Sequence, residues 1–230
     1  MVTHNAAFEI SEYDRRIAKT RAAMSEAGLD ALFVTDPSNQ AWLTGYDGWS
    51  FYVHQGVILT MEGEPIWWGR HMDMMGGRRT CWMQHENIIR YGDHYVQSTQ
   101  FHPMQDLAEH LKARGLARGR IGVEMENYYY SAKAHAVLTE ELPHAILSDA
   151  TALVNWQRLI KSPAEIAFIR KAARISEHVM QTAIDRADVG VRKNDLVADI
   201  MHAGIKGVGD DWGDYPAIVP LTPSGLDATA

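Results

Sequence analysis

One cysteine, no long apolar run and no surplus of positive charge set the first limits on this sequence of 230 residues. The lone thiol, Cys81, cannot form a disulfide within the chain, which fits a reducing compartment and leaves core packing as its expected role. Lys and Arg total 22 against 29 Asp and Glu, a net charge of −7. No basic stretch is long enough to track a phosphate backbone, so nucleic acid is not an expected partner. No segment reaches the roughly 20 apolar residues that cross a bilayer, and none is expected to lie in a membrane. Residues 1–11 lack the basic start and apolar stretch of a secretory leader, so the expected setting is the cytoplasm.

Metal-binding patterns are missing as well. None of the eleven histidines stands in a His-Glu-x-x-His frame, and there is no tight His/Cys cluster. Asp210, Asp211 and Asp214 form the one concentrated acidic group. Acidic loops after a helix are more often solvated than metal-loaded, and no metal is expected there. The chain has no internal repeat, low-complexity tract or long linker.

What is present is the balance of a globular protein, 46% hydrophobic and 22% charged, with length for one large domain or two small ones. Ser11 as N-cap, with Tyr13, Ile17, Met24 and Ala27 near one face, predicts a helix that Gly28 closes. A strand over 29–34 comes next, bounded by the turn cluster Asp36-Pro37-Ser38-Asn39, in which Asn39 caps a brief helix through Leu43. Residues 57–60 and 65–68 flank Glu62-Gly63-Glu64 and predict a hairpin. Strands are also predicted at 88–91, 121–124 and 145–147, and helices at 104–114, stopped by Gly115, and at 131–142, stopped by Pro143. This alternation predicts an α/β domain over 1–150 with one mixed sheet flanked by helices.

Beyond residue 150 the pattern is helical. Ser162, Pro163 and Glu165 make a capping box with proline at the first helical position. Ile166, Ile169, Ala173, Met180 and Ile184 then form a stripe that Ala172, Ile175 and Val179 widen. A helix over 195–205, the loop Gly207-Val208-Gly209-Asp210-Asp211 and a strand over 217–219 complete the pattern. Two helices and one strand cannot cover such a stripe, so 151–230 is expected to be an incomplete domain.

Several segments together resemble the creatinase, aminopeptidase P and prolidase family. They are Gly28-Leu29-Asp30-Ala31-Leu32, Asp36-Pro37 with Asn39, Leu43-Thr44-Gly45-Tyr46, Ile121-Gly122-Val123-Glu124, and above all Arg158-Leu159-Ile160-Lys161-Ser162-Pro163-Ala164-Glu165-Ile166 with Ile169-Arg170-Lys171-Ala172. A capped helix start alone would carry little; the order and spacing of the set carry the resemblance. It implies an N-terminal creatinase-type α/β domain over 1–150 and, over 151–230, the first helices and strand of a pita-bread α+β catalytic domain. Residues 45–55, 67–73 and 220–230 resemble the ectoine-hydrolase branch most. That branch implies a homodimer acting without a cofactor on a small-molecule substrate, an ectoine-like cyclic amidine opened to an N-acetyl-diaminobutyrate.

The resemblance places the catalytic residues beyond Ala230, and no residue here matches them. A creatinase-like or Xaa-Pro peptidase relative is the rival enzyme, the peptidase needing two divalent metals with ligands outside this chain. A non-catalytic ligand- or partner-binding module is the rival of another class.

Substrate contacts are the role this chain has left to fill. Trp49, Phe51, Tyr52 and His54 are candidates, since aromatic faces attract a compact cation and histidine hydrogen-bonds a carboxylate. The same alternation also fits hairpin packing. Arg70 and Asp73, beside His71, form a second set: arginine grips carboxylates with a forked pair of hydrogen bonds, and a structural ion pair three residues apart competes with that role. Trp67 and Trp68 are expected in the core or at a dimer surface.

Overall fold

Ala31–Val34 is buried at every position, which a strand achieves only where both faces of its sheet are covered. The computed structural model describes residues 6–213, 218, 220, 222–225 and 228, and in it this segment, β1, lies inside a mixed sheet. The chain runs α1 (Ile10–Glu26), β1, α2 (Pro37–Thr44), β2 (Gly56–Thr60), β3 (Ile66–Arg70), α3 (Met74–Thr80), β4 (Ile88–Tyr91), α4 (Pro103–Ala113), β5 (Arg120–Val123), α5 (Ala132–Glu141), β6 (Ile146–Asp149) and α6 (Leu153–Arg158). Strand order is β4-β3-β2-β1-β5-β6. The β1/β2 and β2/β3 pairs are antiparallel, with Val34 opposite Val57 and Val57 opposite Trp67, and the other pairs are parallel.

Period-two alternation then sorts the core into two layers. Leu32, Val34, Val57, Leu59 and Trp67 meet α1, α2 and α6 through Tyr13, Ile17, Trp42, Leu43 and Val154. Ala31, Phe33, Ile58, Trp68 and Val123 meet α4 and α5 through Leu107, Leu111, Ala134 and Leu138. Trp67 and Trp68 are wholly buried on opposite faces, so both are core residues. Trp68 Nε1 donates to Asp106 at 2.7 Å. Burial pushes the Cys81 thiol up to about 12, so it stays protonated in the same core as Trp67.

Local chemistry differs from expectation at two helix starts. The first helix begins at Ile10 with Glu9 as N-cap, and Ser11 lies within its first turn. In α2 the cap is Asp36, whose Oδ1 accepts from the Asn39 N–H at 2.9 Å, because Pro37 already occupies the first helical position. Asn39 is thereby turned inward and fully buried.

There it joins a polar knot. Glu124, directly after β5 and 3% exposed, accepts from Thr35 N at 2.6 Å, Asp36 N at 2.8 Å and Asn39 Nδ2 at 2.6 Å. Asn39 Nδ2 also donates to Asn155 at 2.8 Å, and Arg158 Nη1 donates to Asn39 Oδ1 at 2.6 Å. Burial raises the Glu124 pKa while its N–H donors pull it down. The knot fastens α6 to the ends of β1 and β5, which explains the domain boundary. The first compact unit runs to Ile160, and the second is Lys161–Ala230.

The second unit opens on α7 (Pro163–Arg186), started by the expected capping box. Ser162 Oγ accepts from Glu165 N at 3.2 Å and Ser162 N donates to Glu165 Oε2 at 2.7 Å. Helix α8 (Lys193–Lys206) packs on α7 with Ile200 and Ala203 buried. No residue of α7 is buried, and Ile169, Met180 and Ile184 of its apolar stripe remain exposed, as does Phe168 beside it. Asp211 pairs with Arg174 and, at 3.4 Å, with Lys171. Asp214 and, of the strand expected over 217–219, residues 217 and 219 lie outside the described residues.

Replacing Glu124 by Gln puts an amide N–H₂ against N–H donors. The expected outcome is a loss of about 2–3 kcal/mol in urea unfolding; a loss below about 0.5 kcal/mol, typical of surface sites, would show that the knot is not needed.

Candidate functional site

Residues 45–55 bridge α2 and β2 without helix or strand. Gly45 caps α2 in the left-handed region, φ +80°, donating to Ala41 O at 2.8 Å. A Cβ there would fall 2.8 Å from Tyr13 Oη and 3.0 Å from Thr80 O, so glycine alone satisfies both torsion and space. Beyond the buried Tyr46, the loop carries Trp49 and Tyr52 outward. Trp49 is 54% and Tyr52 72% exposed. Phe51 lies between them, its ring 4.9 Å from Trp49 and 5.9 Å from Tyr129.

Tyr52, His54 and Arg70 line one cleft of about 350 Å³ together with Tyr91, Tyr95, Gln97, Ser98, Phe101 and His102. Sheet topology brings these together, since β3 and β4 run parallel and both end at this edge. Arg70 closes β3 and Tyr91 closes β4, so the next loop, 92–102, faces the aromatic loop. Arg70 lies 5.9 Å over the Tyr52 ring. Its Nε donates to Asp73 Oδ2 at 2.8 Å and its Nη2 to Asp73 Oδ1 at 3.3 Å. The ion pair expected of residues three apart is therefore formed, and hydrogen bonding to Asp73 raises the Arg70 pKa further.

Asp73 does not line the cleft; it sits behind Arg70 and also accepts a short hydrogen bond from Ser50 Oγ. Trp49 lies outside the cleft lining too, on the exposed side of the loop. His71 contacts Arg90 instead of joining Arg70 and Asp73. Among the described residues no group of three or more His, Cys, Asp or Glu is arranged to hold a metal ion.

Sequence reasoning missed His102 and the Tyr91, Tyr95, Phe101 wall. Each of those rings reads as an isolated aromatic beside a strand or helix end, and only strand order makes them neighbours. The His54 and His102 rings lie 4.8 Å apart. Burial lowers the His54 pKa against a hydrogen bond to the Tyr129 backbone. Burial also drives His102 down to about 4, with His54 and Lys133 adding to the effect. At neutral pH both imidazoles are uncharged, and among the described residues Arg70 is the one ionised side chain in the cleft lining.

His102 Nδ1 accepts from Met104 N at 3.2 Å and caps α4 in a capping box with Gln105. Its folded-state pKa lies below the ordinary 6.5, so as pH falls the unfolded chain takes up the proton first. Stability is then full above about pH 6.5 and is lost as pH falls toward about 4. His102→Asn keeps an N-cap acceptor without titrating. It is expected to flatten this part of a urea-midpoint profile, and an unchanged slope would assign the pH dependence to other groups.

A family model described as the creatinase/prolidase N-terminal domain matches residues 16–160. The chain is 49% identical over 240 residues to an ectoine hydrolase of Halomonas elongata, covering 100% of this chain and 59% of that protein. It is 40% identical over 214 residues to an uncharacterised hydrolase/peptidase of Sinorhizobium fredii, covering 93% of this chain and 54% of that one. The solved Xaa-Pro dipeptidase of Bacillus anthracis matches with a TM-score of 0.65 at 16% identity, covering 83% of this chain and 48% of that one, a likeness of fold. This chain spans 59% and 54% of the length of these two curated relatives. The matched span begins inside α1, takes in every strand of the sheet and ends where the first compact unit ends, and by that match the chain belongs to the creatinase/prolidase N-terminal domain family.

Proposed function

We infer that this chain is the N-terminal part of a hydrolase that opens the cyclic amidine ring of ectoine to an N-acetyl-diaminobutyrate. The observation that carries this reading is the 49% identity to an ectoine hydrolase along the whole chain. The cleft supports it, because a compact cationic ring carrying a carboxylate matches aromatic faces beside one arginine. In this reading Tyr52 faces the amidinium from the cleft wall and Trp49, outside the lining, reaches it from the exposed side of the loop, Arg70 takes the carboxylate, His54 serves as a neutral hydrogen-bonding group, and Asp73 orients Arg70. Opening an amidine requires a group that activates water and one that protonates the departing nitrogen. Those groups belong to the further length that the curated relatives have. The working enzyme is a cytoplasmic homodimer, needs no cofactor, and places the aromatic loop of one protomer over the active site of its partner.

A creatinase-like or metal-dependent Xaa-Pro peptidase relative is the second reading, favoured by the shared family domain. The two readings part on metal, since the peptidase chemistry runs through a pair of divalent ions. The complete gene product is expected to consume ectoine, monitored by proton NMR, at a rate that a chelator leaves unchanged. No ectoine loss, together with chelator-sensitive cleavage of Xaa-Pro dipeptides, would select the second reading. The 230-residue chain alone is expected to show no turnover, with or without Mn²⁺ or Zn²⁺.

In the complete gene product, Trp49→Ala and Tyr52→Ala are each expected to raise KM about twofold to fivefold, the range of one exposed cation–π contact, with melting temperature unchanged. Parent kinetics with a lowered melting temperature would instead assign these rings to packing.

A further inference from the structure

Exposed aromatic rings on a loop tend to collapse onto nearby apolar surface, and ordering them at the moment of binding weakens affinity. Here the aromatic loop is tied down at several points before any ligand arrives. At its neck Tyr46 Oη donates to Gln55 Oε1 at 3.1 Å, and both residues are 3% exposed. At its midpoint the Ser50 hydroxyl donates to Asp73, the carboxylate that also holds Arg70. Tyr91 Oη donates to His54 O at 2.7 Å, and Asp47 N donates to Thr80 Oγ1 at 3.1 Å. The result is a compact loop closed at its base by side chains, with Trp49 and Tyr52 standing on the outer side.

The neck runs against the folding preference of the core. Gln55 Nε2 is buried with no hydrogen-bond partner among the described residues, a state that opposes folding. An apolar pair would fill the same space without that penalty; what the polar pair adds is a directional bond between the two ends of the loop. None of Tyr46, Gln55 or Asp73 lines the cleft, so none acts by touching what binds there.

We propose that Tyr46, Gln55 and Asp73 are positioning residues that latch the aromatic loop at its neck and midpoint, so that Trp49, Phe51 and Tyr52 meet the ligand already ordered. The latch stands on the loop's own contacts; its effect on catalysis rests on the ectoine reading above. Asp73 thereby couples two contributors, the loop through Ser50 and the cleft's charge through Arg70. Displacing it disturbs both at once.

The test is the double variant Tyr46→Phe/Gln55→Leu in the complete gene product. It removes donor and acceptor together, and with them the buried, unpartnered Gln55 Nε2, while Ser50 loses its contact with Tyr46 but keeps Asp73, so the melting temperature stays level or rises. Acrylamide quenching of Trp49, isolated by subtracting the Trp49→Phe protein, reads the looseness of the loop directly. Quenching is expected to increase, and KM for ectoine to rise about threefold to tenfold with kcat within about twofold, the cost of ordering one or two side chains on binding. Parent-like quenching would overturn the latch. Increased quenching with unchanged KM would support the latch and instead remove the loop from the substrate site, which is the failure of the ectoine reading. For the midpoint, Asp73→Asn still accepts from Ser50 and is expected to recover most of the KM lost in Asp73→Ala. Equal losses in the two variants would reduce Asp73 to the charge partner of Arg70.

Discussion

The carboxylate of Glu124 is the joint on which the first unit turns. It is buried where β1 and β5 end side by side, and it accepts the backbone N–H groups of Thr35 and Asp36 just as the chain leaves the sheet to start α2. Without an acceptor there, two backbone donors would be buried unpaired at the head of the sheet. Asn39 extends the joint, passing from Glu124 to Asn155 and Arg158 and so bringing α6 against α2. The segments that most resemble the family at Asp36-Pro37, Asn39, Glu124 and Arg158 thus meet at one point in space. Their shared role is architectural: they hold the strand ends and α6 in register.

From that fixed head the rest of the site is set. Anchoring α2 anchors Gly45, whose left-handed turn aims residues 46–55 across the end of the sheet. Parallel pairing of β3 with β4 delivers Arg70 and Tyr91 to the same edge. The cleft between these loops holds one ionised side chain, two neutral imidazoles and several aromatic faces among the described residues. The charge of this cleft is therefore set by Arg70 alone, since neither histidine contributes charge at neutral pH. Asp73 sets the geometry of that charge from behind.

Features decided within a few residues were legible in the sequence. The Ser162/Glu165 capping box, the left-handed closures at Gly28 and Gly115 and the hairpin around Gly63 depend on local torsions and near-neighbour hydrogen bonds, and all formed as expected. Competition between two local donors or acceptors was harder to read. Asn39 and Asp36 both suit a helix cap; Pro37 gave the cap to Asp36, and the buried carboxylate of Glu124 claimed Asn39. Helix α6 is a similar case, for it shares its helical patterning with α7 while its polar contacts lie with α2.

The sequence by itself determined the α/β class, most of the elements and a short set of aromatic and charged candidates, because periodicity, capping and turn chemistry act at short range along the chain. Tertiary structure alone decided which candidates share a cleft. Tyr52, His54 and Arg70 do, joined by the unforeseen His102, whereas Asp73 and Trp49 stand outside the lining. Strand order and parallel pairing control that choice, and both arise from packing two layers of helices against one sheet, a constraint that no local window of residues contains.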